Sequence, residues 1–132
     1  MNENVNLRVE FDGRAAATSE ATGRPIVVAA GDRLSGTVFM QMQNSVKVRA
    51  IRLVAEWRTR GRGDTDKDVA HDVVLVDGPA VTGEHVVPFD VPLPVAPLTY
   101  HGNLIKVEWQ LRVRFDRPFA RDWWHDVPID VV

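Results

Sequence analysis

From residue 105 to residue 116 the chain reads IKVEWQLRVRFD, an unbroken alternation of apolar and polar positions. Ile105, Val107, Trp109, Leu111, Val113 and Phe115 fall on one side of an extended chain, and Lys106, Glu108, Gln110, Arg112, Arg114 and Asp116 on the other. A helical period would scatter both sets, so the pattern predicts a long strand, dry beneath and wet above. At about 1.5 to 3 kcal/mol per large side chain removed from water, its inward residues contribute roughly 9 to 18 kcal/mol before chain entropy is subtracted. The other side of that core has to come from the rest of the chain.

Val5, Leu7, Val9 and Phe11 alternate with Asn6, Arg8 and Glu10, predicting a first strand that Gly13 ends. Residues 14–24 are rich in Ala, Ser, Thr and Gly and read as an exposed connection. A short apolar run at 25–30 predicts a second strand, closed by Gly31-Asp32. Leu34, Gly36, Val38, Met40 and Met42 then face inward, and Asn44-Ser45 predicts a turn. The inward set starts again at Val46 and Val48 but continues as Ile51, Leu53, Ala55 and Trp57. That change of parity near Arg49-Ala50 predicts a bulge or a crossing between sheets.

Residues 58–68, RTRGRGDTDKD, offer almost nothing to a core and read as a protruding hairpin loop. A strand follows over 69–76, stopped by Asp77-Gly78-Pro79. The loose alternation of 85–91 runs into Pro92, Pro94 and Pro97, which predicts an edge strand followed by a proline-braced crossover. After the long strand, Asp116-Arg117-Pro118 makes a turn, and Val127, Ile129 and Val131 form a terminal strand. The sum is about eight strands, without a helical segment or an internal repeat.

Composition sharpens this picture. Valine supplies 22 of 132 residues against three lysines and one tyrosine, which favours sheet throughout and an all-β class. The length fits one domain, residues 1–132, able to bury a core without metals or disulfides. Without cysteine, and with the polar start Met1-Asn2-Glu3-Asn4, the sequence predicts a cytoplasmic protein with no signal peptide. No apolar run reaches the roughly 18 residues of a spanning helix, so no membrane insertion is expected. A net charge of -2 provides no general attraction to nucleic acid, and none is expected as a partner.

The run Gly31-Asp32, Ser35-Gly36-Thr37-Val38, Val46-Lys47-Val48-Arg49 and Ile51-Arg52-Leu53 resembles the front half of an arrestin-type N-terminal domain. Pro88-Phe89, Val91-Pro92-Leu93-Pro94, Tyr100, Gly102, Ile105-Lys106-Val107, Leu111-Arg112-Val113 and Asp116-Arg117-Pro118 resemble its back half, in the same order and spacing. The pattern is similar to that of alpha-arrestins, the arrestin-fold subunit of retromer and bacterial sporulation-control arrestin-like proteins. The resemblance implies an immunoglobulin-like, two-sheet antiparallel β-sandwich that serves as a protein-binding adaptor or scaffold and not as an enzyme. Such families usually pair two sandwiches in one chain. A homodimer in which a second copy replaces the second sandwich is therefore part of the expectation. Phosphate-sensing arrestins resemble one another in a lysine pair on the first strand, where this chain has Asn6-Leu7-Arg8, so phosphoreceptor recognition is not implied.

Candidate chemistry is sparse. His71-Asp72 and His125-Asp126 point to opposite faces of a strand within each pair and read as surface dipeptides. Ser19, Ser35 and Ser45 lack a nucleophile-elbow context, so no catalytic residue is assigned. Asp64, Asp66 and Asp68 have the alternate spacing that opens a calcium loop, but Val69 and Leu75 stand where an EF-hand needs glycine and glutamate. No metal or cofactor is expected. Arg62-Gly63-Asp64 spells an integrin tripeptide without an extracellular context.

Lys47, Arg49, Arg52, Arg58, Arg60 and Arg62 crowd a basic patch that reads either as a solvated surface or as a site for an acidic partner. In arrestins the corresponding hairpin is a partner-contacting element, so by resemblance Arg58, Arg60, Arg62, Asp64 and Asp66 are candidate contact residues. Trp123-Trp124 adds a second candidate. Two adjacent rings on a strand cannot enter the same core, so either the backbone turns there or one ring lies at the surface as an interface anchor. Two alternatives remain beside the adaptor: a small-ligand or enzyme-accessory sandwich, marked by a deep polar pocket, and a structural module of a larger assembly.

Overall fold

Residues 106–116 do form the central strand, with Trp109, Leu111, Val113 and Phe115 all 2% exposed or less. The computed structural model describes residues 4–13, 26–61, 63 and 65–132. Among these are nine strands: β1 (Val5–Phe11), β2 (Ile26–Val28), β3 (Arg33–Lys47), β4 (Ala50–Arg60), β5 (Thr65–Asp77), β6 (Ala80–Pro92), β7 (Tyr100–His101), β8 (Lys106–Asp116) and β9 (Trp123–Val131). No α-helix occurs among the described residues. The connection read at 14–24, together with Pro25, Arg62 and Asp64, lies outside them.

The strands make two layers. One sheet has the order β1-β3-β6, and the other the order β2-β9-β8-β4-β5, with β7 added to the start of β8. All pairings are antiparallel except β2 with β9. The inward faces share one core: Val9, Leu34, Val38 and Met40 from the first sheet pack with Ile51, Leu53, Trp109, Leu111 and Phe115 from the second.

The parity change read at Arg49-Ala50 marks a crossing between sheets. β3 belongs to the smaller sheet and β4 to the larger, and the corner is held by Arg49 N–H donating to the Asp116 carbonyl at 2.7 Å. β6 is an edge strand carrying Pro88 and Pro92, as its proline content predicts. Trp109 Nε1 donates to the Pro97 carbonyl at 2.9 Å and ties the following crossover to the core.

Three expectations are corrected. Asn44-Ser45 is not a turn: β3 runs through it, with a register shift between Met42 and Val46. The Asn4 side chain takes the place of a ladder partner there, accepting from Asn44 N–H at 2.7 Å and donating to its carbonyl at 3.2 Å. Residues 58–68 are not a long loop, because β4 continues to Arg60 and β5 resumes at Thr65, with Arg58 opposite Lys67 and Thr59 opposite Asp66. Ladder hydrogen bonds ask nothing of side-chain polarity, so a strand wet on both faces escapes an alternation test. Ile105 is 44% exposed, since it sits in the turn where Gly102 N–H donates to its carbonyl, one residue before β8 begins.

Candidate functional site

The outer face of the larger sheet carries a network of ion pairs. Arg112, near the middle of β8, donates to Glu56 Oε1 at 2.7 Å and to Asp126 Oδ1 at 2.6 Å, joining β4, β8 and β9 across the face. Glu56 is only 6% exposed and also meets Lys67 of β5 at 3.7 Å. Burial works against the charged form of Arg112, but its hydrogen bonds to Asp126 and Glu56 outweigh it and raise its pKa above the ordinary arginine value. Nearby, Arg114 donates to Asp122 at 2.6 Å.

The tryptophan pair resolves by plain strand alternation. Trp123, opposite Phe115, turns inward and packs against the core, with the two ring centroids 5.9 Å apart. Trp124, opposite Arg114, turns outward and lies on Arg112, whose guanidinium carbon is 3.8 Å from the ring centroid. It is half-buried, partly covered by Arg112 and Arg114.

The basic patch is substantially neutralised by neighbouring strands. Arg49 pairs with Asp116 at 3.2 Å, Arg52 with Asp72 at 3.2 Å, and Arg58 and Arg60 both reach Glu108 at 3.5 Å. Arg58 Nε is buried with no hydrogen-bond partner among the described residues. Asp66 is exposed on β5, one position on from Thr65. Thus Arg58, Arg60 and Asp66 sit together at the hairpin end of β4 and β5. Trp123 and Trp124 do not join them: Trp124 shares a cross-strand row with Arg114 and Arg52, six residues from Arg58 and so roughly 20 Å away.

The other candidates separate as well. Asp72 and Asp126 engage Arg52 and Arg112. Asp66 and Asp68 share a face, and no cluster of three or more metal-ligating side chains occurs among the described residues. A cleft of about 600 Å³ opens at one end of the sandwich between Val27, Val28, Leu34 and Val132, with Asp12 and Arg33 at its rim. On the smaller sheet, Asp90 accepts from both Arg33 Nε, at 2.9 Å, and Ser35 Oγ, at 2.9 Å. These hydrogen bonds hold its carboxyl below the ordinary range. The networks around Arg112 and Asp90 were not legible as sites, because their members are far apart in sequence; alternation placed Arg112 on the wet face, but only the register supplies Glu56 and Asp126.

No helix of the described residues is long and apolar enough to cross a membrane. No family model matches the sequence, and no curated protein does. Among solved structures, the chain is similar to the sporulation control protein Spo0M from Bacillus subtilis, with a TM-score of 0.62 and 15% identity over 98% of this chain. It spans 50% of that protein's length. At that identity the likeness speaks for architecture, and together with the strand order it shows that this chain has the arrestin-type β-sandwich fold.

Proposed function

We propose that the domain is a non-catalytic, protein-binding adaptor that meets its partner with the β4–β5 hairpin. The observation that carries this reading is the exposure of β5: its residues from Thr65 to Ala70 all face solvent, on the edge strand that pairs with β4 of the core layer. A wet, ladder-paired hairpin with Arg58, Arg60 and Lys67 on one face and Asp66 on the other offers mixed charge at regular spacing, which suits recognition better than bond-making. The cysteine-free sequence favours a cytoplasmic setting.

Changing Arg58, Arg60 and Arg62 together to Ala tests the reading, with cross-linked partners recovered from cells and compared with wild type. Loss of a recovered partner is expected; unchanged recovery removes the hairpin from the contact. Self-association through a second copy of the sandwich belongs to the same proposal. Light scattering at high micromolar concentration checks it, and a purely monomeric mass rejects that part alone.

A further inference from the structure

A strand at the edge of a sheet leaves one row of backbone N–H and C=O groups open, and proteins blunt such rows with prolines, bulges or brevity. Among the described edges, β6 carries Pro88 and Pro92, and β2 is three residues long. β1 is regular, but its charges, Arg8 and Glu10, pair with each other at 3.1 Å and give no side-chain signal for an occupant. β5 is bulged only in its second half, where the register slips between Ala55 and Glu56 and between Ile51 and Arg52. From Val69 back to Thr65 its pairing with β4 is continuous, and β4 is its only ladder neighbour among the described residues.

The side chains on that stretch say what fits. Asp66 and Asp68 lie on one face, opposite Thr59 and Trp57, and neither makes an ion pair among the described residues. Lys67 lies on the other face and is engaged with Glu56 at 3.7 Å. Val69, on the same face as Lys67, is 48% exposed. We propose that the free edge of β5 over residues 65–69 takes up an extended polypeptide segment with Lys or Arg at alternate positions, as an added strand. Alternate residues on a strand are roughly 7 Å apart, so two such cations fall beside Asp66 and Asp68 together while the intervening side chains cover Val69.

A second copy of this edge is a poor occupant. Residues directly opposite across an antiparallel seam share a face, so the symmetric pairing centred on Lys67 sets Asp66 against Asp68, and no symmetric register brings Lys67 opposite either of them. Phosphate-bearing partners meet the same two carboxylates.

This inference rests on the adaptor reading, but its test is independent of any natural partner. The probe is the peptide acetyl-Lys-Val-Lys-Thr-Lys-Val-amide, compared with its Glu-for-Lys version and with a version N-methylated at every second residue. Amide exchange and chemical shifts of the full chain are read by NMR. The Lys peptide is expected to protect amides within residues 65–69. Asp66→Asn with Asp68→Asn, both at exposed sites, should weaken it roughly threefold to tenfold, and the N-methylated and Glu versions should give no protection. Absence of protection on β5, or equal binding by the N-methylated peptide, overturns the proposal. If the arginine triple variant loses its cellular partner while β5 ignores the peptide, the adaptor reading stands and the edge proposal falls.

Discussion

The guanidinium carbon of Arg112 lies over the indole of Trp124, 3.8 Å from its centroid, while the same guanidinium holds Glu56 at 2.7 Å and Asp126 at 2.6 Å. One side chain thus neutralises a buried carboxylate and caps an aromatic surface. Replacing Arg112 by Ala leaves Glu56 charged and nearly dry, with Lys67 at 3.7 Å as its remaining cation. The expected loss is about 3 kcal/mol. Adding Glu56→Gln to Arg112→Ala should restore about 1 kcal/mol, because the orphaned charge is gone. Urea denaturation of the two single variants and the double variant measures this coupling; additive losses would show that the pair is not linked.

The two tryptophans should differ in the same assay. Trp123 packs inward against Phe115, so Trp123→Ala is expected to cost about 3 kcal/mol through a cavity. Trp124 lies outside on Arg112 and Arg114, so Trp124→Ala should cost about 1 kcal/mol, mainly the lost cation–π contact. The reverse order would mean that the terminal strand is shifted by one residue, since a one-residue slip exchanges the two faces.

The same slip rule explains which parts of the fold the amino-acid sequence discloses. β8 and β3 separate a core from solvent, so their residues had to alternate, and Leu34 to Met42 and Trp109 to Phe115 announce themselves. β5 is wet on both sides near the hairpin, so no pattern distinguishes Thr65–Asp68 from a loop. Asn44-Ser45 misleads for another reason: polar residues that favour turns also suit a bulge, and the deciding contact comes from Asn4, far away in sequence. The candidate site was legible in part. Arg58 and Arg60 stood out by charge, but their shared acceptor, Glu108, is fixed only by the pairing of β4 with β8.

Gly36 sits in β3 with Phe11 on one side and Phe89 on the other, and those rings meet edge to face at 6.0 Å across it. A methyl group there would collide with the Glu10 carbonyl oxygen and come within 2.8 Å of the Phe89 ring. Gly36→Ala is therefore expected to destabilise the protein by about 2 kcal/mol through overpacking, against the usual gain from removing a strand glycine. Thermal unfolding checks the sign. A neutral or stabilising Gly36→Ala would show that β1 can move away from β3 at no cost.

Acid should weaken the fold partly through Asp122. Burial alone would raise its pKa, but the Arg117 N–H at 3.0 Å and Arg114 Nε at 2.6 Å outweigh that and hold the carboxyl below its ordinary value. A folded carboxyl with a lowered pKa binds its proton less readily than the unfolded one, so the unfolded chain takes up more protons as pH falls. The contribution is then complete above the usual aspartate value of about 3.9 and fades as pH drops through the lower folded value. Asp90 works in the same direction through Arg33 and Ser35. Asp122→Asn should be less stable than wild type at neutral pH, yet lose less on acidification, so that the two melting curves draw together below about pH 4. Melting midpoints taken from neutral to acid pH decide it: parallel curves would mean that Arg114 and the Arg117 amide do not favour the ionised form.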